Sequence, residues 1–340
     1  MNIPILRKTI EDFARGEELS ASVAEPLLDA LIAETDEPLI AQVLTAWHRK
    51  GIEANEIYEI ARIMRTRMTR VNSPHGRIVD IVGTGGSKAK TFNVSTAASF
   101  IVAGAGVPVA KHGNKAATSN SGSADVLSEL GINPAVDPKT AERCLNDIGI
   151  CFMFAPNFHR LSATLAKVRR GLGFPTIFNC VGPLCNPASA EHQLIGVWDE
   201  SLVPKMADAL SRLGTKRSWI VHGENGLDEI AINGKTAVAE IDGTVRRFEI
   251  TPEYFGLEQC SSNRIRSDDP AHSASMIRNT LLGRSHDPAA ECIVLLNAAA
   301  GLLISGAAME PQEAATLAHE SLHSGEARTK LEELAKGTPV

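Results

Sequence analysis

Aromatic residues are scarce. Phe, Trp and Tyr make up 4% of the 340 residues, too few for a stacking platform that binds single-stranded nucleic acid. An excess of positive charge is also lacking. There are 34 Lys and Arg against 40 Asp and Glu, a formal net charge of −6. That argues against a nucleic-acid coat or an anionic membrane surface as the main partner. The cysteines Cys144, Cys151, Cys180, Cys185, Cys260 and Cys292 include no C-x-x-C pair, and no histidine cluster stands near them at zinc spacing. They read as buried reduced thiols, which suggests the cytoplasm. Long apolar runs are missing too. The first eighteen residues lack the apolar core of a signal peptide. The stretches 97–110 and 292–308 are too short, or too broken by Gly, Asn and Ser, to span a bilayer. What remains is a composition ordinary for a globular protein, 44% hydrophobic and 22% charged. The length suits one large or two ordinary domains.

The most informative stretch runs from Asp80 to Gly131. Two apolar runs, Ile78 to Val82 and Val107 to Ala110, read as buried strands. Each enters a loop rich in Gly, Ser, Thr and Asn, and each loop opens a helix, near Ser95-Thr96 and near Ser121 or Ser123. Side by side in a parallel sheet, both loops open at the strands' C-terminal edge, where such folds bind ligands. Loop amides and helix N-termini there attract anions.

Before this stretch, residues 3–70 carry apolar residues at helical spacing and no strand pattern. Asn72-Ser73-Pro74 reads as a linker. Beyond Gly131 the pattern gives a helix at 138–147, a strand at 150–154, a break at Ala155-Pro156-Asn157 and a helix at 161–170. A short apolar run at 176–180 precedes a turn-rich loop at 182–187. A strand at 194–198, a helix at 202–213 and a strand at 218–222 follow. Hairpin-like strands between Glu229 and Phe248 turn at Asn233-Gly234 and Asp242-Gly243, and the remainder is mostly helical. The expected fold is α/β: a small all-helical N-terminal domain plus a larger α/β domain with a mainly parallel central sheet.

Gly83-Thr84-Gly85-Gly86 invites a dinucleotide-binding reading, but Lys88 stands where the third glycine belongs, and no Gly-Lys-Ser/Thr completes a P-loop. On its own the cluster reads equally as a tight turn. Asn93-Val94-Ser95-Thr96 just beyond it adds hydroxyls and an amide at a helix start, which suits phosphate. Lys111-His112-Gly113-Asn114-Lys115, followed by small polar residues 118–122, reads as a second phosphate-binding loop. Asp228-Glu229 reads either as solvated carboxylates or as ligands for a hard divalent cation. Arg169-Arg170 either offsets a helix dipole or supplies a guanidinium clamp for a carboxylate.

Taken in order, GTGG, NVST, KHGNK, SGSAD, VRR, TIFN, GPL-x-NP and LDE resemble the anthranilate phosphoribosyltransferase family, over essentially the whole chain. The resemblance implies a helical domain at 1–72 with a returning helical segment at about 157–190, an α/β domain at 77–340, and a homodimer joined through the helical domain. It implies transfer of phosphoribose from 5-phosphoribosyl 1-diphosphate (PRPP) to the amine of anthranilate, with Mg²⁺, in tryptophan biosynthesis. By motif, PRPP would be held by Gly83, Gly86, Ser87, Thr91, Asn93, Val94, Ser95 and Thr96. Lys111, His112, Gly113, Asn114, Lys115, Ala116, Ala117, Thr118, Ser119 and Ser123 would hold it from the second loop. Ser95, Asp228 and Glu229 would handle the metal. Gly83, His112, Asn114, His159, Arg169 and Pro183 would meet anthranilate, and Lys111, Asn114 and Arg169 would carry catalysis. The chain departs from the family pattern at Ser87-Lys88, usually Asp-Gly, where an added cation is expected to alter metal dependence. It departs also at Asn120, Cys185 and Arg160-Leu161, the last pair beside the expected acceptor pocket. A pyrimidine nucleoside phosphorylase-like enzyme and a non-catalytic nucleic-acid-binding relative are the alternatives. KHGN and Arg169 speak against the first, and net acidity with the Asp228-Glu229 pair against the second.

Overall fold

The structure is a computed structural model. It describes residues 3–340 apart from 88, 116–120, 262–263, 268 and 285–286. Four helices come first: α1 (Ile3–Ala14), α2 (Ala21–Ala33), α3 (Glu37–Lys50) and α4 (Ala54–Arg67). Asp36 caps α3 by accepting from Leu39 N. The helices are locked by one buried carboxylate. Glu56 accepts from Leu19 N at 2.9 Å, Trp47 Nε1 at 2.9 Å and Glu53 N at 3.0 Å, and pairs with Lys50 Nζ at 2.9 Å.

The chain then alternates: β1 (Val79–Gly83), α5 (Val94–Gly104), β2 (Val109–Gly113), α6 (Ser123–Glu129), α7 (Pro138–Asp147) and β3 (Ile150–Phe154). Three helices follow, α8 (Ala155–Phe158), α9 (Ala163–Gly171) and α10 (Ile177–Leu184). Next come β4 (His192–Gly196), α11 (Leu202–Arg212), β5 (Arg217–Gly223), β6 (Thr236–Asp242) and β7 (Thr244–Ile250). The C-terminal part is α12 (Pro270–Leu281), α13 (Pro288–Ile304), α14 (Pro311–His323) and α15 (Glu326–Gly337).

One sheet runs β3-β2-β1-β4-β5-β6-β7. The first five strands are parallel, and β6 and β7 are antiparallel. Strand residues alternate between two apolar clusters, as the two-residue period requires. Leu194, Trp219 and Val238 face a cluster with α5 and α13. Ile195, Ile220 and Ala239 face a cluster that also holds α11, α10, α9 and the four N-terminal helices.

The α/β class with a helical N-terminal part and a mainly parallel sheet is as expected. Several local readings are corrected. β2 runs through Lys111, His112 and Gly113, which therefore end a strand rather than open a loop. Buried polar partners let them stay in the sheet. The expected break at Ala155-Pro156-Asn157 is the short helix α8, with Pro156 in its first turn. The turn-rich loop at 182–187 begins inside α10, which Thr176 and Asn179 start with a capping box. The hairpin is β6–β7 around Gly243 alone, and Glu229 lies before it in a connecting segment.

Candidate active site

A cavity of about 490 Å³ opens at the C-terminal ends of β1 and β2, beside the point where the strand order reverses direction. Its floor depends on missing side chains. A Cβ at Gly196 would stand 1.6 Å from the Asp228 carbonyl oxygen, and one at Gly83 would stand 2.8 Å from Asp228 Oδ2. The end of β4 thus admits the Asp228-Glu229 backbone only because residue 196 is glycine, and a side chain at Gly83 would displace the Asp228 carboxylate. Gly86 adopts φ +85°, and a Cβ there would meet the Pro175 ring at 2.6 Å. Thr84 ties the loop to β4, donating from N at 2.9 Å and from Oγ1 at 3.1 Å to Gly196 O.

Gly83, Gly86, Ser87, Thr91, Asn93, Ser95, Lys111, His112, Gly113, Asn114, Lys115 and Ser123 all line this cavity. So do His159, Arg169, Pro183, Asp228 and Glu229. Val94 and Thr96 do not. Their side chains are buried, Val94 in the core, and their amides are already used, Val94 N donating to Phe92 O at 2.6 Å and Thr96 N to Asn93 O at 3.1 Å, so neither offers the expected PRPP contact. Thr96 Oγ1 has no hydrogen-bond partner among the described residues. Ala116, Ala117, Thr118 and Ser119 lie outside the described residues, as do Lys88 and Asn120.

Lys111 is buried and points under β1. Its Nζ donates to Ile81 O at 2.6 Å and to Ser95 Oγ at 3.2 Å, so two of its three donors are used. Burial pulls its pKa down to about 8 against the opposing charges of Asp80 and Glu229. Burial pushes Asp80 up to about 6, opposed chiefly by Lys111. Asp80 accepts from Asn186 Nδ2 at 2.8 Å and from His112 N at 3.2 Å.

Beside them, His112 Nε2 and His159 Nε2 stand 3.1 Å apart. Burial holds both imidazoles neutral, His159 at about 4. Arg169 sits at the other end of the cavity, its guanidinium 5.0 Å from the Phe178 ring centroid. Burial, then the charge of Arg170, lowers its pKa to about 10. Among the described residues no carboxylate raises it and its buried Nε has no partner. A cation so placed is suited to an incoming anion.

The opposite end is acidic. Asp228 and Glu229 are both pushed up, first by burial and, for Glu229, next by repulsion from Asp228. Glu229 Oε2 accepts from Thr91 Oγ1 at 3.1 Å. No group of three or more His, Cys, Asp or Glu that could hold a metal exists among the described residues. A two-carboxylate donor set fits a hard cation such as Mg²⁺, which completes its shell with phosphate oxygens and water.

Sequence reasoning gave no site role to Asp80, Asn179, Asn186 or Phe178, although the TIFN and GPL-x-NP motifs contain the last three. Asn186 Nδ2 bridges Asp80 and Ala110 O, both at 2.8 Å, and Asn179 Nδ2 holds Thr84 O at 3.1 Å. An Asp inside an apolar strand was the available signal for the first.

The family described as "Glycosyl transferase family, a/b domain" matches residues 75–328. An anthranilate phosphoribosyltransferase from Azorhizobium caulinodans is 42% identical over 337 residues, covering 98% of this chain and 96% of its own. One from Pelotomaculum thermopropionicum is 42% identical over 98% of this chain and 97% of its own. Among solved structures, the anthranilate phosphoribosyltransferase of Thermus thermophilus superposes with a TM-score of 0.87 at 36% identity, covering 97% of this chain and 98% of that one. The Saccharomyces cerevisiae enzyme in complex with PRPP and Mg does so at 0.86 and 32%, covering 98% and 97%. The fold and the cavity at its strand ends are therefore those of a glycosyltransferase that moves a pentosyl group. Within that class, the chain belongs to the anthranilate phosphoribosyltransferase family.

Proposed function

We propose that this chain transfers the phosphoribosyl group of PRPP to the amine of anthranilate, giving N-(5-phosphoribosyl)anthranilate and diphosphate in tryptophan biosynthesis. One observation carries the reading: a single cavity joins an acidic pair beside glycine-rich amides at one end to an unpaired guanidinium at the other.

Gly83 to Ser87, Thr91, Asn93 and Ser95 hold the diphosphate and ribose. Lys111 to Asn114 and Ser123 approach from β2 and α6. Asp228, Glu229 and the Ser95 hydroxyl would hold Mg²⁺, which when bound neutralises diphosphate charge as it leaves C1 of the ribose. The remaining N–H of Lys111 adds a fixed positive charge near the departing group, an electrostatic contribution available before reaction. Arg169 grips the carboxylate of anthranilate, so that the adjacent amine faces C1. The wall from His112, His159 and Pro183 keeps the aromatic ring oriented. The amine nitrogen bonds to C1, the C1–oxygen bond to diphosphate breaks, and the product nitrogen then loses a proton.

In the same reading, residues 1–72 and 157–190 form a helical unit that carries the acceptor end, and 77–340 the phosphoribosyl end. The chain works as a homodimer joined through the helical unit, in the cytoplasm. No helix among the described residues is long and apolar enough to cross a membrane. Loss of anthranilate fluorescence on adding PRPP and Mg²⁺ tests the activity. No PRPP-dependent loss would overturn the reading.

A further inference from the structure

Two thiols outside the cavity converge on one carbonyl. Cys260 Sγ donates to Glu258 O at 3.6 Å, and Cys292 Sγ, at the start of α13, donates to the same oxygen at 3.9 Å. Cys260 is also among the groups that shift the Cys292 thiol. Cys260 differs in access from the other five cysteines, Cys292 included. Cys144, Cys151, Cys180 and Cys185 are buried, whereas Cys260 is partly exposed.

We propose that Cys260 and Cys292 are a redox-sensitive pair that closes into a disulfide and clamps the 256–267 segment onto α13. The oxidant is a peroxide. Cys260, the accessible sulfur, attacks a peroxide oxygen as thiolate, the O–O bond breaks, and water leaves a sulfenic acid on Cys260. Cys292 Sγ then attacks that sulfur, the S–O bond breaks, and a second water leaves with the Cys292 proton. Two thiols lose two electrons, and one hydrogen peroxide becomes two waters. Burial, then the neighbouring Cys260 thiol, pushes the Cys292 thiol up to about 12, which assigns the first attack to Cys260.

The clamped segment is wired to the cavity at several points. Cys260 N donates to Ile232 O at 2.8 Å, Phe92 N to Ile265 O at 2.9 Å, and Ser267 N to Lys90 O at 2.9 Å. Thr91 bridges Arg266, and both Thr91 and Ser267 line the cavity. On the other side, Asn297 of α13 accepts from Ile230 N at 3.2 Å, directly after Glu229. A covalent link between residues 260 and 292 therefore joins two supports of the acidic end.

The test treats the full chain with hydrogen peroxide, blocks free thiols with N-ethylmaleimide, and maps peptides by mass spectrometry. The expected product is one linked peptide pair containing both cysteines, two hydrogens lighter than the separate peptides. It should be cleared by dithiothreitol and absent from Cys260→Ser and Cys292→Ser. In the oxidised protein, hydrogen exchange should slow several-fold across 256–267. Cys260 left unmodified, oxidised alone to sulfinic acid, or cross-linked between two chains would overturn the pair. Unchanged exchange despite the internal link would overturn the clamp.

Discussion

Arg169 has a cation–π neighbour in Phe178 but no acid to neutralise it among the described residues. Truncating it removes the charge that would hold a carboxylate without leaving a buried acid behind. Arg169→Ala should raise KM for anthranilate about 10- to 100-fold, the equivalent of a charge-assisted bond worth ~1.5–3 kcal/mol. KM for PRPP should stay near the parent value. An unchanged anthranilate KM in steady-state fluorescence assays would remove Arg169 from the acceptor end. His159 makes a different kind of prediction. Its folded pKa of about 4 lies below the ordinary 6.5. Above pH 6.5 both folded and unfolded states leave it neutral, so it has no effect on stability there. As pH falls from 6.5 towards 4, the unfolded chain takes the proton first, and the fold loses up to ~3 kcal/mol. The groups facing it include His112, itself held neutral, and Lys111 lies beyond that ring. Urea melts of His159→Gln at pH 7 and pH 4 should show a smaller acid loss than the parent. An equally steep loss would mean that His159 is not the group responsible.

At the scale of elements, the acidic pair depends on strand ends that carry no Cβ. Gly196→Ala places a methyl 1.6 Å from the Asp228 carbonyl oxygen and forces the connecting segment off β4. Overpacking of this kind costs ~1–3 kcal/mol. The expected signature is a higher Mg²⁺ concentration for half-maximal rate with an unchanged far-ultraviolet circular dichroism spectrum. Gly76→Ala, where an added Cβ meets nothing within 4 Å, serves as the control. If both variants show the parent's metal titration, the glycine is not what positions Asp228. This element also marks the limit of legibility. Gly83 to Gly86, Asn93, Ser95 and Asp228-Glu229 were readable because glycines, hydroxyls and paired acids cluster locally. The end of β2 was not, because Lys111 and His112 remain in the sheet through partners far along the chain: Ile81, Ser95 and His159. Helix α10 was missed for a related reason. Pro183 and the following Asn-Pro look like a turn, yet the capping box at Thr176 and burial of Ile177, Phe178 and Val181 carry the helix to Leu184. Asp80 and Asn186, 106 residues apart, form a pair that no local spacing encodes.

At the scale of the molecule, the cavity lies where the two apolar clusters meet. Arg169 projects from the α9 helix, whose Leu165 and Val168 belong to the cluster of the N-terminal helices, and Phe178 is part of that cluster too. The start of α5 and the first residues of β2 rest on the other cluster, through Val94, Val109 and Ala110. A ligand that bridges both ends binds only while the two parts are docked, so its binding free energy adds to the stability of the whole chain. PRPP with Mg²⁺ at about 100 times its dissociation constant should stabilise the fold by ~2.7 kcal/mol, a rise of a few degrees in Tm. Anthranilate alone reaches Arg169 and the His112–His159 wall but not the acidic pair, so its shift at the same multiple of its own dissociation constant should be no larger than that. The distinguishing measurement is cooperativity. If the two clusters unfold separately in the free protein, calorimetry should show a broadened transition that N-(5-phosphoribosyl)anthranilate, which spans both ends, narrows into one. A ligand that raised only one of two resolved transitions would place its site within a single cluster and not at their junction.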